Sequence, residues 1–275
     1  MTSLQADRAI VQGTVPGGRT CVVQSCRPSC PSWMQTCMSS VQRWASARGY
    51  EYVRVGDDDF LGTVPAWYRD KAAGVIQPVV DLARVELAIR CLTTVDVVAW
   101  IDADVLIFDE ESFDLPPTRW IAFTREIWLD MKRPAGTPYC VERVNNSVMV
   151  ASDPGSLDQY RQTCLRIAAA TKGLLPKSAV STTYLTELNR TLPIATVRHV
   201  GNFSPPVLRA VAQDTEELLA FYRASAGEPL FAANLCASFE NRDYFGMVSS
   251  TAEFEQAVDV LLTSRGSVLN ETNRH

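Results

Sequence analysis

Histidine is almost missing from this 275-residue chain, where His199 and His275 are the only two. That scarcity excludes a metal centre built from several imidazoles and argues against a serine–histidine–aspartate triad. Long apolar runs are lacking as well: none approaches the roughly 18–20 residues needed to cross a bilayer, so no transmembrane segment is expected. Nor is there a cationic excess. The chain sets 26 Lys and Arg against 31 Asp and Glu, a formal net charge of −5, which gives no electrostatic reason to expect nucleic acid as a partner. The 8 cysteines form no C-x-x-C pair, and no Cys/His set with zinc spacing follows Cys26 and Cys30. The N-terminal stretch lacks the basic-then-apolar order of a secretory signal. The expectation is therefore a loose arm over residues 1–19, reduced thiols, and a cytoplasmic protein or one peripheral to the inner face of a membrane.

What is present is the balance of a globular protein, with 47% apolar and 21% charged residues. TCVVQS (20–25) reads as a buried strand, and apolar spacing from Met34 to Arg48 reads as a helix stopped by Gly49. A strand over 50–55, a turn at GDDD (56–59), a helix from Pro78 to about Thr93 and the strand DVVAWI follow. RWIAFTRE (119–126) and NSVMVAS (146–152) read as further strands. Asp153-Pro154 should open a helix, with Asp as N-cap and Pro in its first turn. A shorter helix over 180–189, a last inner strand TVRHV (196–200) and helices near 214–224, 229–238 and 251–264 complete the reading. Strand and helix alternate, so the expected class is α/β, a mostly parallel central sheet with helices on both faces. No linker or repeat divides the chain, and residues 20–275 are expected to form a single domain.

The strand DVVAWI runs into Asp102-Ala103-Asp104. Two carboxylates at the end of a buried strand repel each other and need a positive partner: a divalent cation, a nearby Arg or Lys, or water. Ligands of open α/β sheets bind beyond the carboxyl ends of strands, where this pair sits. Mg²⁺ and Mn²⁺ seek such oxygens and share their shell with substrate phosphates. Asp81 and Arg84 lie three apart on one helix face, suited to a shared target.

Residues 81–108, DLARVELAIRCLTTVDVVAWIDADVLIF, resemble the donor-binding core of the GT-A (Rossmann-like) glycosyltransferases, in which an Asp-Leu-x-Arg helix precedes a strand ending in D-x-D. VNNSVMV (144–150) and RHVGNFSPP (198–206) are similar to two further segments of the glycogenin-like and lipopolysaccharide-galactosyltransferase group. The second segment departs from that pattern: Ser204-Pro205-Pro206 stand where Lys-Pro-Trp is usual, and the lost Lys would contact the diphosphate.

The resemblance implies a metal-dependent transfer of a sugar from a nucleoside-diphosphate donor, UDP above all, with retention. The acceptor would be a glycan, a glycolipid or a small molecule. Mn²⁺ or Mg²⁺ would be held by Asp102, Asp104 and His199. Gln24, Ser25, Asp81, Arg84, Asp102 and Gly201 would bind the donor. Asn145 and Asn146 would face the transferred sugar, with Glu126 and Asp130 as acceptor-side carboxylates. Two other readings use the same local pattern: an aspartyl-phosphate phosphatase, and a nucleotide-sugar-binding protein without turnover.

Overall fold

The computed structural model describes residues 18–132 and 136–270. The expected arm therefore lies outside the described residues, apart from Gly18 and Arg19, as does His275.

The chain opens β1 (Thr20–Ser25), α1 (Ser32–Ala47), β2 (Glu51–Val55). The supposed GDDD turn is instead a short helix, α2 (Asp57–Leu61), whose three aspartates favour the positive end of its own dipole. Then come α3 (Ala66–Lys71), α4 (Gln77–Cys91) and β3 (Val97–Ile101). Beyond the D-A-D turn lie β4 (Val105–Ile107), β5 (Ile121–Lys132), β6 (Thr137–Ala151), α5 (Pro154–Ala170) and α6 (Thr182–Thr191). The last third holds β7 (Ala195–Val197), β8 (Val200–Asn202), α7 (Pro205–Gln213), α8 (Glu216–Ala226), β9 (Ala232–Asn234), β10 (Asp243–Tyr244), β11 (Met247–Val248) and α9 (Thr251–Ser264).

The main sheet is six-stranded in the order β2-β1-β3-β6-β5-β7. Pairing of β1 with β2 and β3, and of β5 with β7, is parallel, while β6 is antiparallel to both its neighbours. All strands but β6 thus run one way, as the alternation of strand and helix implies. Period-two burial splits the two faces. Cys21, Val23, Val98 and Trp100 pack with Leu82, Val85 and Cys164 of α4 and α5. Val22, Ala99, Ile101 and Val148 pack with Val41 and Trp44 of α1. Asp153 caps α5 as its sequence requires, accepting from the Ser156 amide at 2.8 Å, a contact worth about 1 kcal/mol.

A second, three-stranded sheet, β4-β9-β8, was not visible in the sequence. Two corners feed it from the first. Asp102-Ala103-Asp104 carries the chain from β3 to β4, closed by the Val105 amide on the Asp102 carbonyl at 3.1 Å. Arg198-His199 carries it from β7 to β8, with His199 in the left-handed region at φ 63°. TVRHV is therefore not one inner strand. It is an edge strand, a corner and the start of a strand in another sheet. The expected helix over 229–238 is also overturned, because AAN there is β9, pairing with both β4 and β8.

β5 and β6 are far longer than the buried pieces read as strands. Their outer halves, Glu126–Lys132 against Thr137–Arg143, leave the sheet as a two-stranded ribbon. One face of this ribbon is apolar, with Ile127 and Leu129 buried in the same cluster as Phe203, Tyr222 and Leu230. The other face is turned to a cleft.

Candidate active site

The positive group that the D-A-D turn demands is found within the chain. Arg84 points from α4 across the end of β3, and its Nη2 lies 2.9 Å from Asp102 Oδ1 and 3.0 Å from Oδ2. Trp100 Nε1 donates to the same Oδ1 at 2.7 Å. Arg84 Nη1 reaches Asp81 Oδ1 at 3.1 Å and Asn146 Oδ1 at 2.6 Å, and Asn146 Nδ2 returns to Asp81 Oδ1 at 3.1 Å. One guanidinium thus ties together the helix, the D-A-D turn and the Asn-Asn-Ser strand. Asp81, Arg84 and Asn146 are all nine-tenths or more buried.

Asp104 points elsewhere. Its Oδ2 accepts from the Ala237 amide at 2.7 Å, fixing the D-A-D turn to the short 3₁₀ turn Ala237–Phe239. Burial pushes the Asp102 carboxyl up to about 7, reinforced by the charge of Asp104 and opposed by Arg84 and Trp100. Burial also raises Asp104, against the pull of the Ala237 amide, and raises Asp81, against Arg84, Ser181 and Asn146. Three carboxyl groups share one buried guanidinium, with Lys177 acting on Asp81 as a weaker charge. Carboxyls perturbed in this way concentrate at functional sites, and structural ion-pair networks perturb them as well.

Two buried atoms in the cluster have no partner, Asp81 Oδ2 and Arg84 Nε. Ser25 Oγ is a third, and Ser25, Arg84, Asp102 and Asp104 line one cleft of about 290 Å³ together with Asp57 and Phe60. A second cleft, about 640 Å³, is lined by Glu126, Trp128, Asp130, Asn145, Lys177 and Tyr244 among others. Residues 236–239 form part of both walls, through Ala237 on the first and Cys236 and Phe239 on the second.

Several candidate residues stand away from the roles the motifs suggested. His199 lies at the opposite end of the small sheet: Asn202 is level with Asn234 and Val105, so His199 is four register steps, about 13 Å along the strands, from Asp104, and two strands across from it. Its Nδ1 is 2.7 Å from the Pro229 carbonyl and its ring stacks on Phe231. It is not a third ligand beside the aspartates. Gly201 faces the core, where an added Cβ would sit 3.1 Å from Phe203, 3.2 Å from Leu230 and 3.3 Å from the Tyr222 hydroxyl. Its lack of a side chain serves packing, not approach to phosphate. Gln24 is fully buried and spends its amide on the D-A-D turn, donating to the Asp102 carbonyl at 3.1 Å and accepting from Tyr52 at 2.9 Å. It supports the turn from beneath and has no free face for a base.

Asn145 is likewise satisfied within the protein. It donates to Glu126 and Asn202 and accepts from the Ser147 amide and hydroxyl, which uses both its hydrogens and both lone pairs. Glu126, 3% exposed, is also ion-paired with Arg143. Asp130 sits on the open face of the ribbon, accepting from the Met131 amide at 2.7 Å. Trp100 and Asn202 went unnoticed in the sequence, because an indole two residues before a D-x-D and an Asn inside a strand carry no motif signal.

Among the described residues no group of three His, Cys, Asp or Glu could hold a metal ion. The oxygen-only donor set still fits a hard cation that keeps one or two carboxylates and takes the rest of its shell from phosphate and water. The surplus of buried negative charge around Arg84 is what such an ion would offset.

No family model matches the chain, and no curated protein sequence matches it. Solved structures similar to it include a glycosyltransferase involved in the glycosylation of the major capsid of PBCV-1, 12% identical over 88% of this chain and 99% of that one, with a TM-score of 0.46. A second is the galactosyltransferase LgtC in complex with donor and acceptor sugar analogs, 12% identical over 87% of this chain and 95% of that one, with a TM-score of 0.45. A third is the bifunctional glycosyltransferase WbbM, 11% identical over 94% of this chain and 53% of that one, with a TM-score of 0.47. Likeness this distant carries no argument about activity, which has to come from the chain's own residues. No helix among the described residues is long and apolar enough to cross a membrane.

Proposed function

We propose that this chain is a glycosyltransferase that binds a nucleoside-diphosphate sugar, with uridine as the preferred base, and passes the sugar to an acceptor hydroxyl. One observation carries the reading. Two of the three stretches that resemble GT-A motifs, 81–108 through both its helix and its D-A-D turn and 144–150 through its strand, are drawn into one buried cluster by Arg84, through Asp81, Asp102 and Asn146. A structural ion pair needs two residues, not three separate segments meeting beyond a strand end. Residues 20–275 act in this reading as a single catalytic unit.

Within the cluster, Arg84 Nε, a buried atom without a partner on a residue that lines the first cleft, offers a donor to sugar hydroxyls, and Asp81 holds Arg84 from the helix side. Ser25 offers its hydroxyl at the end of β1, the side on which the nucleoside would lie. Asp104, with Asp102, would hold Mn²⁺ or Mg²⁺ together with the diphosphate; when bound, the ion neutralises charge on the leaving phosphate. Trp100 and Arg84 keep Asp102 oriented throughout. Asn146 holds Arg84 in place from the strand side, and Glu126 and Asp130 belong to the acceptor side. Retention follows from the resemblance to retaining families.

Thermal shifts with UDP, GDP and ADP, each with and without Mn²⁺, test the donor half. UDP with metal should stabilise most, by mass action on the folded state. Release of free sugar from a panel of nucleotide sugars tests turnover and separates an enzyme from a binding protein. Absence of any nucleotide-dependent shift with either metal would remove the reading.

A further inference from the structure

The open face of the β5–β6 ribbon has a composition that donor binding does not explain. Alternation along β5 puts Glu126, Trp128 and Asp130 on that face, and the register places Arg143, Val141 and Tyr139 directly opposite them. Phe239 and Tyr244 close over the same side, with Trp128 Nε1 donating to the Tyr244 hydroxyl at 3.3 Å and Tyr244 meeting Phe239 edge-on at 5.2 Å. The facing wall, from the start of α6 and the loop before it, is lined by Ser178 and Thr183, whose hydroxyls bond each other at 2.9 Å, by Thr182, and by Thr186, whose hydroxyl meets the Val144 backbone. An aromatic wall against a hydroxyl wall, with a carboxylate between, matches a pyranose ring: apolar C–H faces and hydroxyl edges.

The cleft also has direction. Its inner end is Asn145, next in the chain to the Asn146 that holds Arg84. Its outer end is Tyr139, six residues along β6 and thus about 20 Å away. That is longer than one sugar ring.

The charges facing the cleft narrow the class further. Arg143 is committed to Glu126 and lies over the Trp128 ring at 4.7 Å, and Glu187 is paired with Arg190. Lys177 sits over Phe239 at 5.4 Å, while Asp130 accepts from the Tyr139 hydroxyl at 3.5 Å. With Lys132 over the Tyr139 ring at 5.9 Å, the three carboxylates Glu126, Asp130 and Glu187 are met by the three cations Arg143, Lys177 and Lys132, so the cleft has no net charge with which to select an ionic acceptor.

We infer that the ribbon cleft is an elongated binding site for a neutral oligosaccharide acceptor, whose terminal hydroxyl lies at the Glu126–Asn145 end and whose preceding rings run outward past Trp128 to Tyr139. As an acceptor site it rests on the transferase reading. As a saccharide site it can be tested without turnover.

The test is saturation-transfer NMR and calorimetry with neutral gluco- and galacto-oligosaccharides, from monosaccharide to tetrasaccharide, with no nucleotide present. Affinity should rise several-fold with each added ring, and Trp128→Ala and Tyr139→Ala should each lower tetrasaccharide affinity about tenfold. Thermal melting identifies a variant that has not folded, and Trp128→Phe, which keeps an aromatic face, should retain most of the affinity. No binding at any length, affinity independent of length, or tetrasaccharide binding unchanged in both alanine variants overturns the inference. Binding to phosphatidylglycerol vesicles in preference to every saccharide overturns it too, in favour of a lipid-facing cleft. UDP affinity measured alongside keeps the two proposals apart, since a saccharide site can survive loss of the donor reading and the reverse.

Discussion

Replacing Arg84 by Met keeps the bulk of the side chain and removes its charge. It leaves Asp81 and Asp102 facing each other in a site where the Asp81 and Arg84 side chains are 7% and 10% exposed. Removing one partner of a buried pair costs about 3–5 kcal/mol, because the other charge is left uncompensated. For a chain this long that corresponds to a fall in melting temperature on the order of 10 °C.

The loss should depend on pH in a defined direction. Asp102 already stands at about 7 and Asp81 is raised, both by burial and both held down by Arg84. Without the guanidinium each rises further. A carboxyl raised on folding binds more protons in the native state than in the unfolded state between its two pKa values. Stability therefore falls as pH rises through that window and levels off above the folded value. The deficit of Arg84→Met should be largest near pH 8, smaller near pH 5.5 and smallest near pH 4. Urea unfolding of both proteins at these values measures it. A deficit below about 1 kcal/mol at pH 8, or one of equal size at pH 8 and pH 5.5, would refute the account of the cluster.

The remaining expectations follow from single contacts. Asp104→Ala should abolish Mn²⁺-dependent UDP binding in calorimetry and lower the melting temperature by a few degrees, since the Ala237 amide loses its acceptor; equal affinity in the two proteins would remove Asp104 from the metal. His199→Ala should leave Mn²⁺ affinity and its pH dependence unchanged, since the ring is spent on Pro229; a flattened pH profile would put it back beside the aspartates. Gly201→Ala should cost about 1–3 kcal/mol by overpacking against Phe203 and Leu230. A neutral result in chemical denaturation would mean the core there yields.

The parts of this molecule that were legible in its sequence are those whose signal is local. TCVVQS, the α1 periodicity and the Asp153-Pro154 start of α5 each specify an element through residues adjacent in the chain, and each forms as read. The small sheet was hidden because its strands are three residues long, too short for a period to register. AANLC reads equally as strand or helix until β4 and β8 supply partners on both sides.

The same distinction governs the site. Asp102, Asp104, Asp81 and Arg84 are candidates because each lies in a short motif. Their meeting with Asn146 is tertiary, and so is the answer to why two carboxylates can end this strand: Asp102 has Arg84, and Asp104 has the Ala237 amide. His199 misled for the opposite reason. A histidine near a glycine satisfies a pattern, but placing it beside Asp104 requires the register of β8, β9 and β4, and that register sets it at the far end of the sheet. Gln24 and Gly201 failed in the same way, since nothing in a sequence says which face of a strand end is buried. A motif names the residue types that chemistry needs, and only packing decides which of their atoms are left free to do it. Here the buried atoms without a partner beside the first cleft are Ser25 Oγ and Arg84 Nε.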